Sequence, residues 1–397
     1  MELPKITVTI EKLNSEGEGL ARHLGKVIFI PWGVPGEVVS VQIEEAHKDY
    51  NRGRIIDIVQ KSPDRTDPPC PWFFNCGGCQ LQQMTYEAQL KWKKEIVLDA
   101  LRRIAKMPDA TIEEVIPSPK IWNYRSRIQI QRDREWKIGF FKSQSHEIVE
   151  IEKCLIADER LNEKLRKLRE QVGAALCGRP AEGQPHKEGL FARPQGVVPT
   201  KGEEQPWPVE LCIDDAMGFS QVNPGQNDHL IQLVIEMADP KKTDQVFDLY
   251  CGNGNFTFPL ALLAGHVWGI DKSREAIEEA KKRAKESGMP NVSWKQGTAS
   301  RVLAQLKKSG FACHTLVCDP PRRGVAESIE WIMTFAPKKI VYVSCNPATF
   351  ARDTARLRTE KYRLDVCQPL DMFPQTAHIE LVALFVREAD VDFVQAA

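Results

Sequence analysis

The sequence predicts an α/β protein, in which a doubly wound domain with a parallel sheet at 211–397 follows two smaller domains. Three observations predict this organisation. Beyond residue 211, runs of β-branched residues alternate with helical runs, which is the pattern of repeated strand–helix units. Within 1–60, short apolar runs are separated by glycine turns, as in a small OB-like β-barrel. Between them, 61–210 contains closely spaced cysteines, one helical run and several strand-like runs, which predict a central α+β domain.

Composition narrows the class of protein. Of the 397 residues, 42 % are hydrophobic and 27 % are charged, as in ordinary globular proteins. No apolar run approaches about 18 residues, so we expect no membrane span. The start, MELPKITVTIEKL, alternates like a strand, so we expect no signal peptide and a cytoplasmic location, where the 11 cysteines would be thiols, metal ligands or catalysts. The 54 basic and 54 acidic residues balance, which argues against a general polyanion-binding protein but allows a local basic surface.

The first domain is marked by its turns. Gly17, Gly19, Gly25 and Gly36 fall where tight corners favour positive φ. The stretches GEGLAR, GKVIFIP and PGE resemble those of the TRAM domain, an OB-like barrel that is appended to RNA-modifying enzymes. This resemblance implies RNA binding, whereas the barrel shape by itself would also suit a plain structural module.

The central domain offers a helix and a basic stretch. Apolar residues at helical spacing predict a helix over about 85–106, which is a candidate for packing on the last domain. The stretch 120–142 carries seven Lys or Arg against two acids, interleaved with aromatic residues. It suits phosphate neutralisation with base stacking, and it suits a solvated hairpin equally well. The Pro- and Gly-rich run 178–208 predicts an irregular loop.

The motif DLYCGNGN, at 248–255, places two glycines between a predicted strand and a predicted helix. Without a Cβ, Gly252 and Gly254 let a ligand approach the backbone. Asp271 ends the next strand, where a carboxylate accepts hydrogen bonds from both hydroxyls of a ribose. The order Asp-x-x-x-Gly-x-Gly, with an acid about twenty residues later, looks like the S-adenosylmethionine site of a class I, Rossmann-like methyltransferase. A plain tight turn is the alternative.

The motif CDPPRRG, at 318–324, predicts a rigid turn after a strand, because two prolines fix φ. In amino-methylating enzymes a similar turn ends in an aromatic residue that stacks on the target base. Here Arg322 takes that place, so an ordinary rigid turn is also an open interpretation.

Two further residues interrupt apolar runs. In VYVSCNPATFARD, Cys345 ends a β-branched run. It is either a small buried residue at a strand end or a nucleophile at the carboxyl edge of the sheet. In MFPQTAHIELVALF, Glu380 is either a solvent-facing residue of an edge strand or a positioned base.

Five motifs, FSQVNPGQN, DLYCGNGN, DPPRRG, SCNP and HIE, occur in this order and together resemble the RNA 5-methyluridine methyltransferase family. The resemblance implies that Cys345 is the nucleophile and that Glu380 removes a proton. It implies that Asp319 orients the pyrimidine through its N3–H, since an ionised carboxylate is an acceptor. The residues expected around the cofactor S-adenosyl-L-methionine and the uracil are Gln221, Tyr250, Gly252, Asn255, Asp271 and Asp319.

The chemistry of that family explains why a thiol and a base are needed. C5 of uracil is too weak a nucleophile to attack a sulfonium methyl group. Addition of a thiolate to C6 makes C5 enolate-like and divides one difficult step into easier ones. A carboxylate then removes the C5 proton, so that the thiolate leaves. Because the enzyme uses both faces of the ring, the uridine must leave its stack, which favours loops of structured RNA.

Cys70, Cys76 and Cys79 follow a C-x5-C-x2-C spacing, with Cys154 as a distant fourth thiol. Such thiols in a cytosolic chain favour a metal over disulfides, and both zinc and iron–sulfur clusters accept four thiolates. In the methyluridine family this spacing marks a [4Fe–4S] cluster in the rRNA-type branch, which also carries the TRAM barrel. The resemblance therefore implies such a cluster, in a structural or RNA-docking role.

Together these features predict a uracil-C5 methyltransferase that uses S-adenosyl-L-methionine and acts on 23S ribosomal RNA, without an obligate protein partner. Two alternatives stay open: the same chemistry on a tRNA loop, and a non-catalytic, cluster-bearing RNA-binding protein that keeps the fold.

Overall fold

A computed structural model describes residues 4–133, 135–177, 198–199, 209–213 and 221–388. Most of the run predicted to be an irregular loop, 178–208, lies outside the described residues. Among the helices that the structure does describe, none has the length and apolar character that crossing a membrane requires.

The N-terminal residues form a six-stranded sheet. Gly17, Gly25 and Gly36 adopt positive φ, as predicted, whereas Gly19 does not. Gly19 is instead needed for a close approach, because a Cβ there would lie 3.3 Å from the backbone of Gly33. The strands are β1 (Lys5–Thr9), β2 (Lys12–Leu13), β3 (Gly19–His23), β4 (Lys26–Ile30), β5 (Val38–Ala46) and β6 (Tyr50–Gln60). Their order is β1-β5-β6-β4-β3-β2, with only β4 and β6 parallel.

The central part combines two helices with a five-stranded sheet. The first helix begins at the Thr85 side chain, which accepts a hydrogen bond from the backbone N–H of Ala88 at 3.3 Å. The elements are α1 (Tyr86–Arg103), β7 (Arg127–Arg132), β8 (Ile138–Phe141), β9 (Ile148–Glu150), α2 (Glu159–Cys177), β10 (Val198–Pro199) and β11 (Val209–Cys212). The sheet order is β10-β11-β7-β8-β9, and α2 packs on it through Leu161 and Leu165.

The last part is built on a seven-stranded sheet with helices on both faces. Its strands are β12 (Gln245–Leu249), β13 (His266–Asp271), β14 (Val292–Gln296), β15 (Thr315–Cys318), β16 (Lys339–Ser344), β17 (Tyr362–Leu370) and β18 (Glu380–Arg387). Its helices are α3 (Pro224–Ala238), α4 (Thr257–Ala261), α5 (Arg274–Glu286), α6 (Ala299–Lys308), α7 (Ile329–Phe335) and α8 (Pro347–Thr359).

The order of this sheet is β14-β13-β12-β15-β16-β18-β17. The prediction of a parallel, doubly wound sheet is right for β12 to β16, but β17 and β18 are antiparallel to their neighbours. β17 takes the edge position, so β18 lies inside the sheet. As a result, the first residue of β18 lies at the same edge as the carboxyl ends of the parallel strands.

The helix α1 contributes to the core of this last part rather than to a core of its own. Val97, Leu98 and Leu101 are buried in one apolar cluster with Phe350 and Ala351 of α8. The central segment is therefore fixed to the large sheet by buried apolar surface, which is the dominant stabilising term in folding.

Candidate active site

Five strands of the large sheet place polar side chains at one edge. Tyr250 follows β12, Asp271 ends β13, Asp319 follows β15 and Cys345 follows β16, whereas Glu380 begins the antiparallel β18. Open α/β sheets bind ligands outside the carboxyl ends of their parallel strands. The fold thus gathers residues that are far apart in the sequence into one candidate site.

Cys345 and Glu380 lie at adjoining ends of the neighbouring strands β16 and β18. Ser344, the last residue of β16, pairs with Leu381, so Cys345 leaves β16 where Glu380 begins β18. The two side chains are near enough for the charge of Glu380 to raise the pKa of the Cys345 thiol. Cys345 is half-buried, and Glu380 is 6 % exposed. Glu380 is therefore not a solvent-facing residue of an edge strand, and Cys345 is not fully enclosed in the core.

Burial and mutual repulsion dominate the electrostatics of this edge. Burial raises the pKa of the Cys345 thiol to about 11, with the charges of Glu380 and Asp319 adding to the effect and that of Arg322 opposing it. Burial also raises the pKa of Asp319 to about 7. Burial, and then the charge of Asp319, hold the pKa of Glu380 well above its usual range. Two neighbouring buried carboxyls resist double ionisation, so the pair retains a proton near neutral pH.

The Asp-Pro-Pro turn is tied to the loop that carries Cys345. The carbonyl of Arg322 accepts hydrogen bonds from Asn346 Nδ2 at 3.4 Å and from Thr349 Oγ1 at 3.0 Å. The guanidinium of Arg322 lies 3.2 Å from Nδ1 of His378. Burial, and then the charge of Arg322, lower the pKa of His378 to about 4, so this ring is neutral and accepts the contact. The turn thus places the Arg322 cation near enough to lower the pKa of the Cys345 thiol, at the position where amino-methylating enzymes carry a stacking aromatic residue.

Asp271 organises the glycine turn. Its Oδ2 accepts a hydrogen bond from the backbone N–H of Gly252 at 3.0 Å, and its Oδ1 accepts one from Ser273 at 2.7 Å. Gly252 has a φ of +54°, and a Cβ there would meet nothing within 4 Å. Gly254, with a φ of +95°, differs, because its Cβ would come within 2.9 Å of Trp294. Gly252 therefore faces open space where a ligand can approach, and Gly254 serves packing.

Three other predicted residues have partners of their own. Tyr250 has a φ of +63°, and its hydroxyl lies 3.0 Å from Ser328 Oγ. The side chains of Asn255 and Asn227 exchange two hydrogen bonds of 3.0 Å. Gln221 is half-buried, and its carbonyl accepts a hydrogen bond of 3.1 Å from a serine hydroxyl of the central segment. Tyr250 and Asn255 belong to the stretch of the glycine turn, whereas the contact of Gln221 is with the central segment. The roles of all three toward a cofactor stay predictions.

One acidic residue beneath the glycine turn was not assigned a role from the sequence. Burial raises the pKa of Asp248 to about 7, and a hydrogen bond of 2.5 Å from Thr257 opposes this shift. Its other oxygen, Oδ1, is buried without a hydrogen-bond partner among the described residues. The sequence order Asp-x-x-x-Gly-x-Gly does point to this residue, because its first member is Asp248, near the end of β12 and just before the glycine turn.

The four cysteines of the central segment line one pocket with Trp72, Phe140 and Arg125 among its walls. Burial raises the pKa of Cys76 to about 11, and Cys154 and Cys70 add to the shift. Burial, and then the neighbouring Cys154, raise the pKa of Cys79 as well. The thiols are thus close enough to repel one another once ionised, and a bound cationic centre would relieve that repulsion, since a coordinating thiol is deprotonated.

Within the ranges that the structure describes, no group of three or more His, Cys, Asp and Glu side chains is arranged to hold a metal ion. The structure therefore does not show a metal centre, and the [4Fe–4S] cluster stays a prediction. The donor set does fit the group, because four thiolates in a largely apolar pocket are what such clusters use.

Two family models each match a part of the chain, and relatives match nearly its whole length. A family model described as tRNA (Uracil-5-)-methyltransferase matches residues 213–388, and a TRAM domain model matches residues 4–56. An uncharacterized RNA methyltransferase of Halalkalibacterium halodurans is 33 % identical over 96 % of this chain and 96 % of its own length. One of Bdellovibrio bacteriovorus is 33 % identical over 96 % of this chain and 94 % of its own.

Among solved structures, the chain is similar to the Pyrococcus abyssi tRNA (uracil-54, C5)-methyltransferase in complex with S-adenosyl-L-homocysteine. The TM-score is 0.69 at 25 % sequence identity, with 96 % of this chain and 99 % of that chain covered. The similarity thus includes the N-terminal sheet and the central segment as well as the large sheet.

Proposed function

Because the chain belongs to the RNA uracil-5-methyltransferase family with an N-terminal TRAM domain, we propose that it methylates C5 of a specific uridine in 23S ribosomal RNA through a covalent adduct of Cys345. Membership of the family makes it an RNA methyltransferase that uses S-adenosyl-L-methionine. The covalent step and the choice of RNA are the proposal. The observation that supports it most is that Cys345 and the buried Glu380 lie at adjoining strand ends on the carboxyl edge of the sheet, where the charge of Glu380 acts on the thiol.

The proposed reaction has two steps on the protein side. The Cys345 thiolate bonds to C6 of the uracil, and the C5–C6 π electrons move toward C5 and the O4 oxygen. S-adenosyl-L-methionine supplies the methyl group that C5 takes up. Glu380 then accepts the C5 proton, the electron pair of that C–H bond restores the C5–C6 double bond, and the C6–S bond breaks to return the thiolate.

The protonation states are compatible with these roles. Burial and Asp319 hold the pKa of Glu380 well above the usual range, which makes its carboxylate a strong base once it is ionised. The proton that the resting pair holds must therefore leave Glu380 before Glu380 takes up the C5 proton. Asp319, with a pKa raised to about 7, is ionised above that pH and then accepts a hydrogen bond from the uracil N3–H. Arg322 favours the thiolate of Cys345 against the effect of burial.

The glycine turn is the proposed cofactor site. Gly252 leaves the backbone open to a ligand, and Asp271 stands at the end of the neighbouring strand, where its oxygens retain lone pairs for ribose hydroxyls. The half-buried Gln221, Tyr250 and Asn255 are proposed to complete this site.

The four cysteines are proposed to hold a [4Fe–4S] cluster with a structural or RNA-docking role. Their shared pocket and their mutual electrostatic effect support the proposal. We also propose domain limits near residues 60 and 210, with α1 as a helix of the central domain that packs against α8.

A tRNA loop is the second candidate substrate, because the tRNA enzyme of Pyrococcus abyssi covers 96 % of this chain. Purified protein, labelled S-adenosyl-L-methionine and transcripts of 23S rRNA and of tRNA separate the two. We expect methyl incorporation into 23S rRNA, and incorporation only into tRNA would overturn that choice. Cys345→Ala should abolish incorporation while RNA binding persists. A wild-type protein that binds RNA but methylates neither would favour a non-catalytic RNA-binding protein.

A further inference from the structure

The segment 371–378 leads directly into Glu380 and is held by the helix α1. Gln89 of α1 and Gln375 of the segment bind each other twice. Gln89 Nε2 donates to Gln375 Oε1 at 3.0 Å, and the backbone N–H of Gln375 donates to Gln89 Oε1 at 3.0 Å. Gln89 is 1 % exposed and Gln375 is 3 % exposed, so water does not replace either bond.

The side-chain amide of Gln89 also binds the stretch that precedes α1. Gln89 Nε2 also lies 3.1 Å from the carbonyl oxygens of Leu81 and Met84. The backbone N–H groups of Gln80 and Leu81 donate to the carbonyl of Gln375 at 3.1 and 3.0 Å. One buried glutamine thus joins the stretch that follows Cys79 to the segment that precedes Glu380.

A buried ion pair fixes the beginning of the segment. Lys93 Nζ lies 2.5 Å from Asp371 Oδ1 and donates to the carbonyl of Phe373 at 3.0 Å. Both charged side chains are fully buried. Residues 89 and 93 are one helical turn apart, so both contacts come from the same face of α1.

The backbone of this segment depends on such support. Gln375 has a φ of +69°, a conformation that a residue with a side chain adopts at a cost of order 1 kcal/mol and keeps only when its surroundings hold it. Without the amide of Gln89, the segment loses the two bonds to the side chain and N–H of Gln375, and only the backbone bonds from Gln80 and Leu81 still hold the strained residue. Glu380, five residues further along, would then shift relative to Cys345.

From these contacts we propose that Gln89 is a positioning residue for Glu380, acting through Gln375 across the contact between the central segment and the large sheet. The proposal rests on the function proposed above for Cys345 and Glu380. Glu380 acts only in removal of the C5 proton, whereas Cys345 lies on another loop and adds to C6 before that. Loss of Gln89 should therefore slow the second step and leave the first one intact.

The test compares Gln89→Met with Gln83→Met. Both glutamines are buried, but the side-chain amide of Gln83 has no hydrogen-bond partner among the described residues. Gln83→Met therefore removes a buried amide from the stretch just before α1 without removing a side-chain hydrogen bond to 371–378. Gln375→Met tests the same contact from its other side, in case Gln89→Met does not fold.

Two RNA probes separate the two steps. On unmodified transcript, Gln89→Met should lower kcat at least tenfold, since misplacement of a reacting group by about 1 Å costs on the order of 100-fold. It should also accumulate an RNA–protein adduct on a denaturing gel. On transcript with 5-fluorouridine, where no C5 proton can be removed, Gln89→Met should form the adduct at the wild-type rate. Gln83→Met should resemble the wild type with both probes.

Equal losses with both probes would show that Gln89 serves only the stability of the fold, which overturns the proposal. Unchanged turnover in Gln89→Met and in Gln375→Met would also overturn it. In the double variant the losses should not add, because both single changes break the same contact. If the wild type itself forms no adduct with the fluorinated transcript, the proposed mechanism fails, and this outcome is distinct from a failure of Gln89 alone.

Discussion

The ion pair of Lys93 and Asp371 should be a main support of the contact between α1 and the large sheet. Lys93→Met removes an ammonium group that lies 2.5 Å from Asp371 Oδ1, with both side chains fully buried. The substitution keeps most of the side-chain volume, so the cost comes from the charge that it leaves behind. Breaking a buried pair from one side costs about 3–5 kcal/mol. Burial of Lys93 lowers its pKa, and the charge of Asp371 opposes that shift.

Urea unfolding followed by circular dichroism measures this loss. The matched control is Lys94→Met, because Lys94 is the next residue and pairs with Glu114, whose side chain is 88 % exposed. Such an exposed pair contributes about 0–1 kcal/mol. Replacing both partners of the buried pair, as Lys93→Met with Asp371→Leu, should recover most of the loss, because the unpaired charge is gone. Equal unfolding free energies for Lys93→Met and Lys94→Met would show that the buried pair stabilises the protein no more than the exposed one.

Four further predictions follow from the site. Glu380→Gln should accumulate an adduct with unmodified RNA on a denaturing gel, because the C5 proton has no acceptor, and a variant that turns over normally would point to another base. Because the pKa of Asp319 is raised to about 7, Asp319 should become protonated as the pH falls through that value, and kcat/KM should fall with it. Asp319→Asn should remove this pH dependence of kcat/KM. A wild-type profile that is flat across neutral pH would contradict the prediction. Gly252→Ala should weaken binding of S-adenosyl-L-homocysteine in calorimetry. Gly254→Ala should mainly lower the unfolding free energy, because its Cβ would lie 2.9 Å from Trp294. If Gly254→Ala weakened binding and Gly252→Ala only lowered stability, Gly254 and not Gly252 would be the residue that the ligand approaches. Anaerobically purified protein should contain iron and sulfide, and Cys79→Ser should lower the content of both. Stoichiometric zinc in a colourless protein would count against the cluster.

The sequence predicted the parts of the site that depend on local pattern. The glycine turn, the Asp-Pro-Pro turn and Cys345 each stand where a β-branched run ends, and strand ends at one edge follow from a parallel sheet. Glu380 was harder to place, because its burial depends on the antiparallel return of β18 between β16 and β17. Strand order is a non-local property, so an acid within an apolar run fits an edge strand as well as an inner one.

The support of the site was not visible in the sequence at all. Lys93 and Asp371 are separated by 278 positions, and each alone would pass for a surface charge. Gln89 lies within an amphipathic helix whose polar residues mostly face solvent, so its burial against Gln375 follows only from the docking of α1 on the large sheet. Long-range polar pairs of this kind leave no periodic signal, because periodicity reports which face is buried and not which partner covers it.

The proposed mechanism requires the sulfur of Cys345 to bond to the pyrimidine during the reaction, and mass mapping of a trapped adduct detects that bond. The protein is incubated with S-adenosyl-L-methionine and a 5-fluorouridine transcript, then digested with protease and nuclease. We expect a peptide in which Cys345 carries a fluorinated and methylated nucleotide. An adduct on a different residue, or no adduct from protein that methylates the unmodified transcript, would contradict it.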